Sequence, residues 1–263
     1  MKNLIYIRGT IDWENCNIDN YCDMNRRSPR YIKTEGVGWD RPDFYLDKVR
    51  MWNSTLKTDF FRFRYNLNQI QKKNIADLNG LDIVLNYFDL SILDSLDDYI
   101  ILCVDDDDWF RPDIFDVLRN LQFQWDGVAW FMSWIGFVDS GLKICKNTPY
   151  SSFKTFTNNF AFKKSGYEKC RNIKDMLENH WYVNNACYAN KDFNYKPFDD
   201  FLSISVKSPA SITSLLQIEN RNQLVEAIEK KMPISLPDEL GWAKNYYDEY
   251  LSAIRLLQRK IYL

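Results

Sequence analysis

The chain lacks several signatures that would assign it at once. Its six cysteines (Cys16, Cys22, Cys103, Cys145, Cys170 and Cys187) form no CxxC pair, and their spacing supports neither a zinc site nor a disulfide framework. Histidine occurs once, at His180. No apolar run approaches the roughly 20 residues needed to span a bilayer, and Asn3 to Ile7, with charged residues close behind, is too short for the apolar core of a signal peptide. Neither sign of charge dominates: 34 Lys and Arg against 36 Asp and Glu give a net charge of −2, so bulk charge draws in no nucleic acid. Gly36-Val37-Gly38 lacks both the third glycine and the preceding strand of a dinucleotide fingerprint. There is no internal repeat and no early glycine-rich, lysine-bearing phosphate loop. These absences lead us to expect a soluble protein of the reducing cytoplasm that binds no nucleic acid.

What is present is a globular composition, 46% hydrophobic and 27% charged, with 16% aromatic residues over 263 positions. Aromatic side chains can line sugar sites, but in a chain this rich in them most must be core. Asn3 to Arg8 reads as a first strand, followed by a long polar stretch from Gly9 to Arg41. A connection of that length is functional or disordered in a compact domain. Pro42, with Asp40 as cap, opens a helix. Phe60 to Tyr65 alternates Phe and Arg as a strand would, with Arg62 and Arg64 then on one face, and Asn66 to Leu78 reads as a polar helix. Strands follow at LDIVLNYF after Gly80 and at Tyr99 to Val104, separated by a short helix from Ser91 to Leu96. Pro112 opens a helix with Ile114, Phe115, Leu118 and Leu121 on one face, and Gly127 to Val138 is a strand or hairpin. Asn158 to Lys163 and Phe201 to Val206 are later strands, and Ile173 to Trp181, Ile218 to Lys231 and Asp238 to Tyr262 are helices. The alternation of strand and helix in the first half predicts an α/β fold, a mostly parallel sheet flanked by helices with a helical C-terminal tail. We divide it into a domain over 1–215 and a C-terminal helical extension over 216–263 that packs on it.

The most informative stretch is Ile100 to Trp109, where an apolar run ends in Asp105, Asp106, Asp107 and Asp108. Tyr99 to Val104 has the length and β-branched content of a strand buried on both faces. Adjacent carboxylates repel one another and need a cation, and oxygen ligands suit a divalent metal such as Mg²⁺ or Mn²⁺. In open α/β sheets ligands bind outside the carboxyl ends of strands. The plain alternative is a solvated acidic turn. Along an extended chain Asp106 points away from Asp105 and Asp107, which makes it the least suited as a ligand. Asp108 either caps the next turn or bonds Arg111.

A buried strand ending in Asp-x-Asp-Asp, then an aromatic residue and Arg111-Pro112-Asp113 opening a helix, resembles the nucleotide-sugar glycosyltransferases of the GT-A fold, family 2-like. Thr157 to Ser165 is similar to the acceptor-side strand downstream of the D-x-D motif in those enzymes, and Leu202 to Ser211 resembles the tail segment of rhamnosyltransferase-like sequences. The resemblance implies a GT-A-like Rossmann-type sheet and a metal-dependent glycosyltransferase, moving a sugar from a nucleoside-diphosphate donor to a glycan or lipid-linked saccharide acceptor. It implies that Asp107 binds the Mn²⁺ or Mg²⁺ directly and that Asp105 faces the ribose or a metal-bound water. It also implies His180 as a further ligand, against a structural role. Arg8, Thr10 and Asp12, at the exit of the first strand, are the candidates for donor contact, Arg8 through phosphate. An inverting enzyme needs a base for the acceptor hydroxyl. Asp175 and Glu178, three apart on one helix face, are the candidates, with Asp199 and Asp200 slightly later; any of these acids can equally be a surface charge.

Two other functions fit parts of the pattern. A nucleotidyltransferase also holds metal on carboxylates at strand ends, and a sugar- or calcium-binding module would use the acids without chemistry. The missing phosphate loop argues against the first, and the missing glycine and terminal Glu of a helix-loop-helix calcium site argue against the second. The last helix carries Tyr246, Tyr247, Tyr250, Ile254 and Leu257 with Lys244, Arg255, Arg259 and Lys260 around them. Such a helix either packs on the domain or makes peripheral contact with a membrane near a lipid-linked acceptor.

Overall fold

A computed structural model describes residues 1–8, 60–78, 83–86, 91–105, 108–136, 141–145, 159–169, 191–206 and 235–261. The polar stretch after Arg8, the helices anticipated at Pro42, Ile173 to Trp181 and Ile218 to Lys231, and the boundary at 215/216 lie outside them.

The strands are β1 (Lys2–Arg8), β2 (Ile83–Asn86), β3 (Tyr99–Asp105), β4 (Asp108–Phe110), β5 (Gly127–Trp130), β6 (Met132–Gly136), β7 (Gly141–Cys145), β8 (Phe160–Lys163), β9 (Tyr195–Phe198) and β10 (Ser203–Val206). Among the described residues the α-helices are α1 (Phe60–Ala76), α2 (Ile114–Arg119), α3 (Lys164–Lys169) and α4 (Lys244–Ile261), with 3₁₀ turns at Ser91–Ser95 and Asp238–Ala243. Among the described residues six strands form one sheet in the order β2-β1-β3-β8-β5-β9, and four form a second in the order β4-β10-β6-β7. In the larger sheet β2, β1 and β3 are parallel neighbours, as are β5 and β9, and β8 runs antiparallel between β3 and β5. The anticipated mostly parallel sheet with a C-terminal helix is thus present.

Strand β3 is the axis of this sheet. Its alternate residues feed two separate cores, as the period of two requires. Tyr99, Ile101 and Cys103 join Leu4, Leu93, Phe160 and Phe162 on one face. Ile100, Leu102 and Val104 join Ile5, Phe115, Leu118, Val128 and Trp130 on the other. Every residue from Tyr99 to Val104 is fully buried. At roughly 1.5–3 kcal/mol for each large apolar side chain removed from water, this strand is the most strongly held segment near the acids.

Three expectations are corrected. Phe60 to Tyr65 is not a strand: it is the first part of α1, a single helix of 17 residues. No glycine, proline or turn residue separates it from Asn66, so the helical stripe Leu67, Ile70, Asn74 and Leu78 extends backwards without a boundary. The alternating placement of Arg62 and Arg64 falls with it. Gly127 to Val138 is not one strand or a hairpin: β5 belongs to the large sheet and β6 to the small one, and the Phe131 N–H between them donates to the Asp200 carbonyl at 2.9 Å. The helix expected to open at Pro112 begins at Ile114 and buries Ile114, Phe115 and Leu118. Strands β4, β7 and β9 are too short or too polar to have been anticipated.

A buried carboxylate ties the far side of the large sheet together. Asp126, immediately before β5, accepts hydrogen bonds from Ser165 Oγ at 2.5 Å, Lys169 Nζ at 2.6 Å and the Asn194 N–H at 2.8 Å. Burial alone would raise its pKa, but the bonds from Lys169, Ser165 and Asn194 outweigh burial and hold the carboxyl below its ordinary range. Helix α3 approaches so closely that a β-carbon on Gly166 would overlap the Asp126 carbonyl oxygen.

A folded-state pKa below the unfolded value means that this carboxylate stabilises the fold fully above about pH 4, the ordinary carboxylate range, and less as pH falls through its folded value. Asp126→Asn should therefore lower stability to urea at pH 7 by about 1–2 kcal/mol, the smaller end reflecting the partial exposure of Lys169. The loss should shrink as the pH is taken below 4. A loss that stays constant across that range would show that the carboxylate charge is not what Lys169 and Asn194 hold.

Candidate functional site

The acidic run spans the point at which the chain leaves one sheet and enters the other. Asp105 is the last residue of β3 and Asp108 the first of β4. Asp106 and Asp107 lie outside the described residues, as do Thr10, Asp12, Asp175, Glu178 and His180.

Parallel pairing puts Arg8 and Asp105 in register, each at the C-terminal end of its strand. A cation-bearing residue and a carboxylate-bearing residue thus share one edge of the sheet, where ligands of open α/β sheets bind. On the other side of β3, β8 pairs antiparallel, Leu102 against Ala161. Asn159 and Phe160, at the start of the segment that resembles the acceptor-side strand, therefore lie toward the Asp105 end. Asn159 is fully buried and donates from Nδ2 to the Trp130 carbonyl at 2.9 Å.

Asp108 differs from the other acids. It is fully buried, and its Oδ1 accepts the Val206 N–H at 2.9 Å. The carboxylate therefore extends the pairing of β4 with β10, which runs Asp108 to Ser205, Trp109 to Ile204 and Phe110 to Ser203. It neither caps the next turn nor bonds Arg111. Arg111 instead forks onto Asp113, with Nε 2.6 Å from Oδ1 and Nη2 3.0 Å from Oδ2, while Nη1 reaches Asp200 Oδ2 at 2.7 Å. The Asp113 hydrogen bond is the largest influence raising the Arg111 pKa. Asp200 also accepts its neighbour Phe201's N–H on Oδ1 at 2.7 Å. This acid, one of the later candidates for a base, is engaged in joining α2 to the start of β10.

Strand β4 is gripped on both edges. Trp109 is fully buried, its ring 5.8 Å from that of Tyr250 and 6.2 Å from that of Tyr246. Beside it, the amide of Asn74 on α1 accepts the Phe110 N–H on Oδ1 at 2.7 Å and donates from Nδ2 to the Phe110 carbonyl at 2.8 Å. The Tyr246 hydroxyl donates to Asp77 Oδ2 at 2.8 Å, and Lys73 pairs with Glu249 at 2.6 Å. Helix α4 thus turns its tyrosine face inward, with Tyr246, Tyr247, Tyr250, Leu251 and Ile254 buried. Burial pushes the Tyr247 phenol up to about 12. Among the described residues no helix is long and apolar enough to cross a membrane.

Sequence reading did not single out Asn74, although one signal was available: it is a polar residue at a core position of the α1 stripe. Among the described residues no three His, Cys, Asp or Glu side chains gather as a metal cluster. The carboxylate chemistry of the run itself fits a hard divalent cation, with Asp105 at the sheet edge and Asp108 turned into the fold. That fit rests on oxygen donors, the set that suits Mg²⁺ or Mn²⁺.

Asp108→Ala should lower stability by about 1–3 kcal/mol, since it leaves the buried Val206 N–H without its acceptor. Chemical denaturation measures this, and an unchanged midpoint would contradict the structural role given to Asp108. No model of a known protein family matches the chain, and a search of curated protein sequences finds no match.

Proposed function

We propose that this protein is a metal-dependent glycosyltransferase of GT-A-like fold that moves a sugar from a nucleoside-diphosphate donor to a glycan or lipid-linked saccharide acceptor. The observation that carries the reading is the shared end of β1 and β3, where Arg8 and Asp105 are register partners at the C-terminal edge of a mostly parallel sheet. The antiparallel β8 beside β3 adds support, because it brings the segment that resembles the acceptor side next to the acids.

In this reading Asp107 binds the Mn²⁺ or Mg²⁺ directly, Asp105 takes the ribose or a metal-bound water, and His180 supplies a further ligand. Arg8 pairs with the diphosphate, while Thr10 and Asp12 contact the nucleoside. The bound cation supplies Lewis-acid stabilisation of the departing diphosphate. Asp175 or Glu178 takes the proton from the acceptor hydroxyl as that oxygen attacks the sugar carbon and the bond to the diphosphate breaks. The protein works in a cytoplasmic setting, where nucleotide sugars serve polysaccharide assembly.

The test is a thermal-stability panel of UDP-, GDP-, dTDP- and CMP-sugars, each with and without Mn²⁺. One nucleotide sugar should raise the melting temperature in a metal-dependent way. Asp107→Ala should abolish that shift and reduce transfer by roughly 10³-fold or more, since several kcal/mol of charge stabilisation is lost, with the melting temperature of the unliganded protein unchanged. Full transfer by Asp107→Ala would refute the assignment. A response to nucleoside triphosphates alone would indicate nucleotidyl transfer, and one to calcium alone would indicate a binding module.

A further inference from the structure

We propose that Asp199 is an acceptor-binding residue: a carboxylate held at the far end of the sheet edge that carries Arg8 and Asp105, where it accepts hydrogen bonds from the hydroxyls of the acceptor saccharide. The inference rests on the glycosyl-transfer reading above and gives its acceptor side a residue.

Register puts Asp199 level with those two residues. Ile5 pairs with Leu102, Leu102 with Ala161, Ala161 with Val128 and Val128 with Lys196, so one row crosses the large sheet from β1 to β9. Strands β1, β3, β5 and β9 all run in one direction, since the antiparallel β8 lies between β3 and β5. Arg8, Asp105 and Asp199 each stand three residues beyond their strand's member of this row. All three therefore reach the C-terminal edge, outside which ligands of open α/β sheets bind. Arg8 and Asp105 are neighbours, whereas Asp199 stands three strand spacings from Asp105, about 14 Å. At that separation it meets a different part of the reactants from the diphosphate.

The chain beyond β9 holds this position firmly. Trp130 pairs with Phe198 in the large sheet, and Ser133, three residues on, pairs with Ile204, six residues on from Phe198, in the small one. The passage from β9 to β10 thus carries three residues more than the neighbouring passage from β5 to β6. Such an excursion re-aims a side chain, as β-bulges do beside active sites. Its backbone is pinned: the Asp200 carbonyl accepts the Phe131 N–H, and the Asp200 carboxylate takes Arg111 and the Phe201 N–H. The buried Phe201 ring lies 5.2 Å from that of half-buried Phe131. Asp199 is the exposed residue of this stretch, and among the described residues its carboxylate has no hydrogen bond or ion pair. The cation nearest in the chain's bonding, Arg111, is spent on Asp113 and Asp200. A carboxylate so placed is an acceptor-only group, suited to the O–H donors of a neutral saccharide.

The test titrates the full chain with the methyl glycosides of glucose, galactose, mannose and rhamnose, read by saturation-transfer NMR, in the wild type, Asp199→Ala, Asp199→Asn and Glu168→Gln. The wild type should bind at least one glycoside. Asp199→Ala should bind it roughly 10-fold more weakly or worse, the loss expected for a hydrogen bond to a charged group, and Asp199→Asn, which keeps one oxygen acceptor, by an intermediate amount. Glu168→Gln alters an exposed acid on α3, at the opposite end of the sheet, and should bind as the wild type does. Both Asp199 variants should melt with the wild type, since the side chain they change carries no bond, and should keep the metal-dependent shift with the nucleotide sugar. Wild-type glycoside affinity in the Asp199 variants would overturn the proposal. So would an equal loss in Glu168→Gln, loss of the nucleotide-sugar shift in Asp199→Asn, or a wild type that binds none of the glycosides. A wild type that responds to no nucleotide sugar would overturn the glycosyl-transfer reading and this inference with it, whereas a failed glycoside result beside an intact nucleotide-sugar shift leaves that reading standing.

Discussion

The anchoring of β4 in the interior is the constraint on which the packing of the smaller sheet against helices α1 and α4 depends. Three residues, Asp108 to Phe110, carry a buried carboxylate, a buried indole and a clamped peptide in succession. Each is held by a different part of the chain: Asp108 by Val206, Trp109 by the tyrosines of α4, and Phe110 by Asn74 of α1. A carboxylate in such a place would be costly unless hydrogen-bonded. The Val206 N–H supplies a bond, and the acid thereby becomes part of a sheet. Like charges that would repel if all four faced one point are divided, with one turned into the fold and the run beginning at the edge of the large sheet.

The two sheets have separate tasks. The larger one presents the ends of β1 and β3 at a common level, and its core is built from both faces of β3. The smaller one receives the chain after the acids and returns it through β10, next to the Arg111, Asp113 and Asp200 ion pairs. Helices α1 and α4 pack against β4. Among the described residues, Trp109, Trp130, Tyr99, Tyr250, Phe110 and Phe115 are the largest fully buried side chains. The tyrosine face of α4, which from the sequence alone suited either a lipid surface or the domain, is packed on Trp109 and α1.

The legible parts of the fold were those governed by long apolar patterns. The run from Tyr99 to Val104 could only be buried on both sides, and it is. Leu4 and Ile5, Phe160 to Phe162, and Ile114 with Phe115 and Leu118 were equally readable. Phe60 to Tyr65 misled because alternation over six residues imitates a strand when no break separates it from a following helix. Strands β4 and β9 escaped because their pairing is non-local: nothing in Asp-Trp-Phe signals that Ser203 to Val206 will lie beside it. The same limit applied to the site. The acids were visible as a run, but the inward turn of Asp108, the fork of Arg111 onto Asp113 and Asp200, and the grip of Asn74 on Phe110 join residues 2 to 98 positions apart, most of them far apart in sequence. A polar residue on an apolar helical stripe was the one local clue to Asn74.

In the proposed function the acids at the end of β3 hold a divalent cation for a nucleoside diphosphate. The most direct measurement is anomalous diffraction at the manganese edge from crystals grown with Mn²⁺ and the nucleoside diphosphate identified by thermal shift. One strong peak is expected at the C-terminal edge of β3, within bonding distance of Asp107 and on the same side as Arg8. A peak elsewhere, or none at that edge with the diphosphate bound, would contradict it.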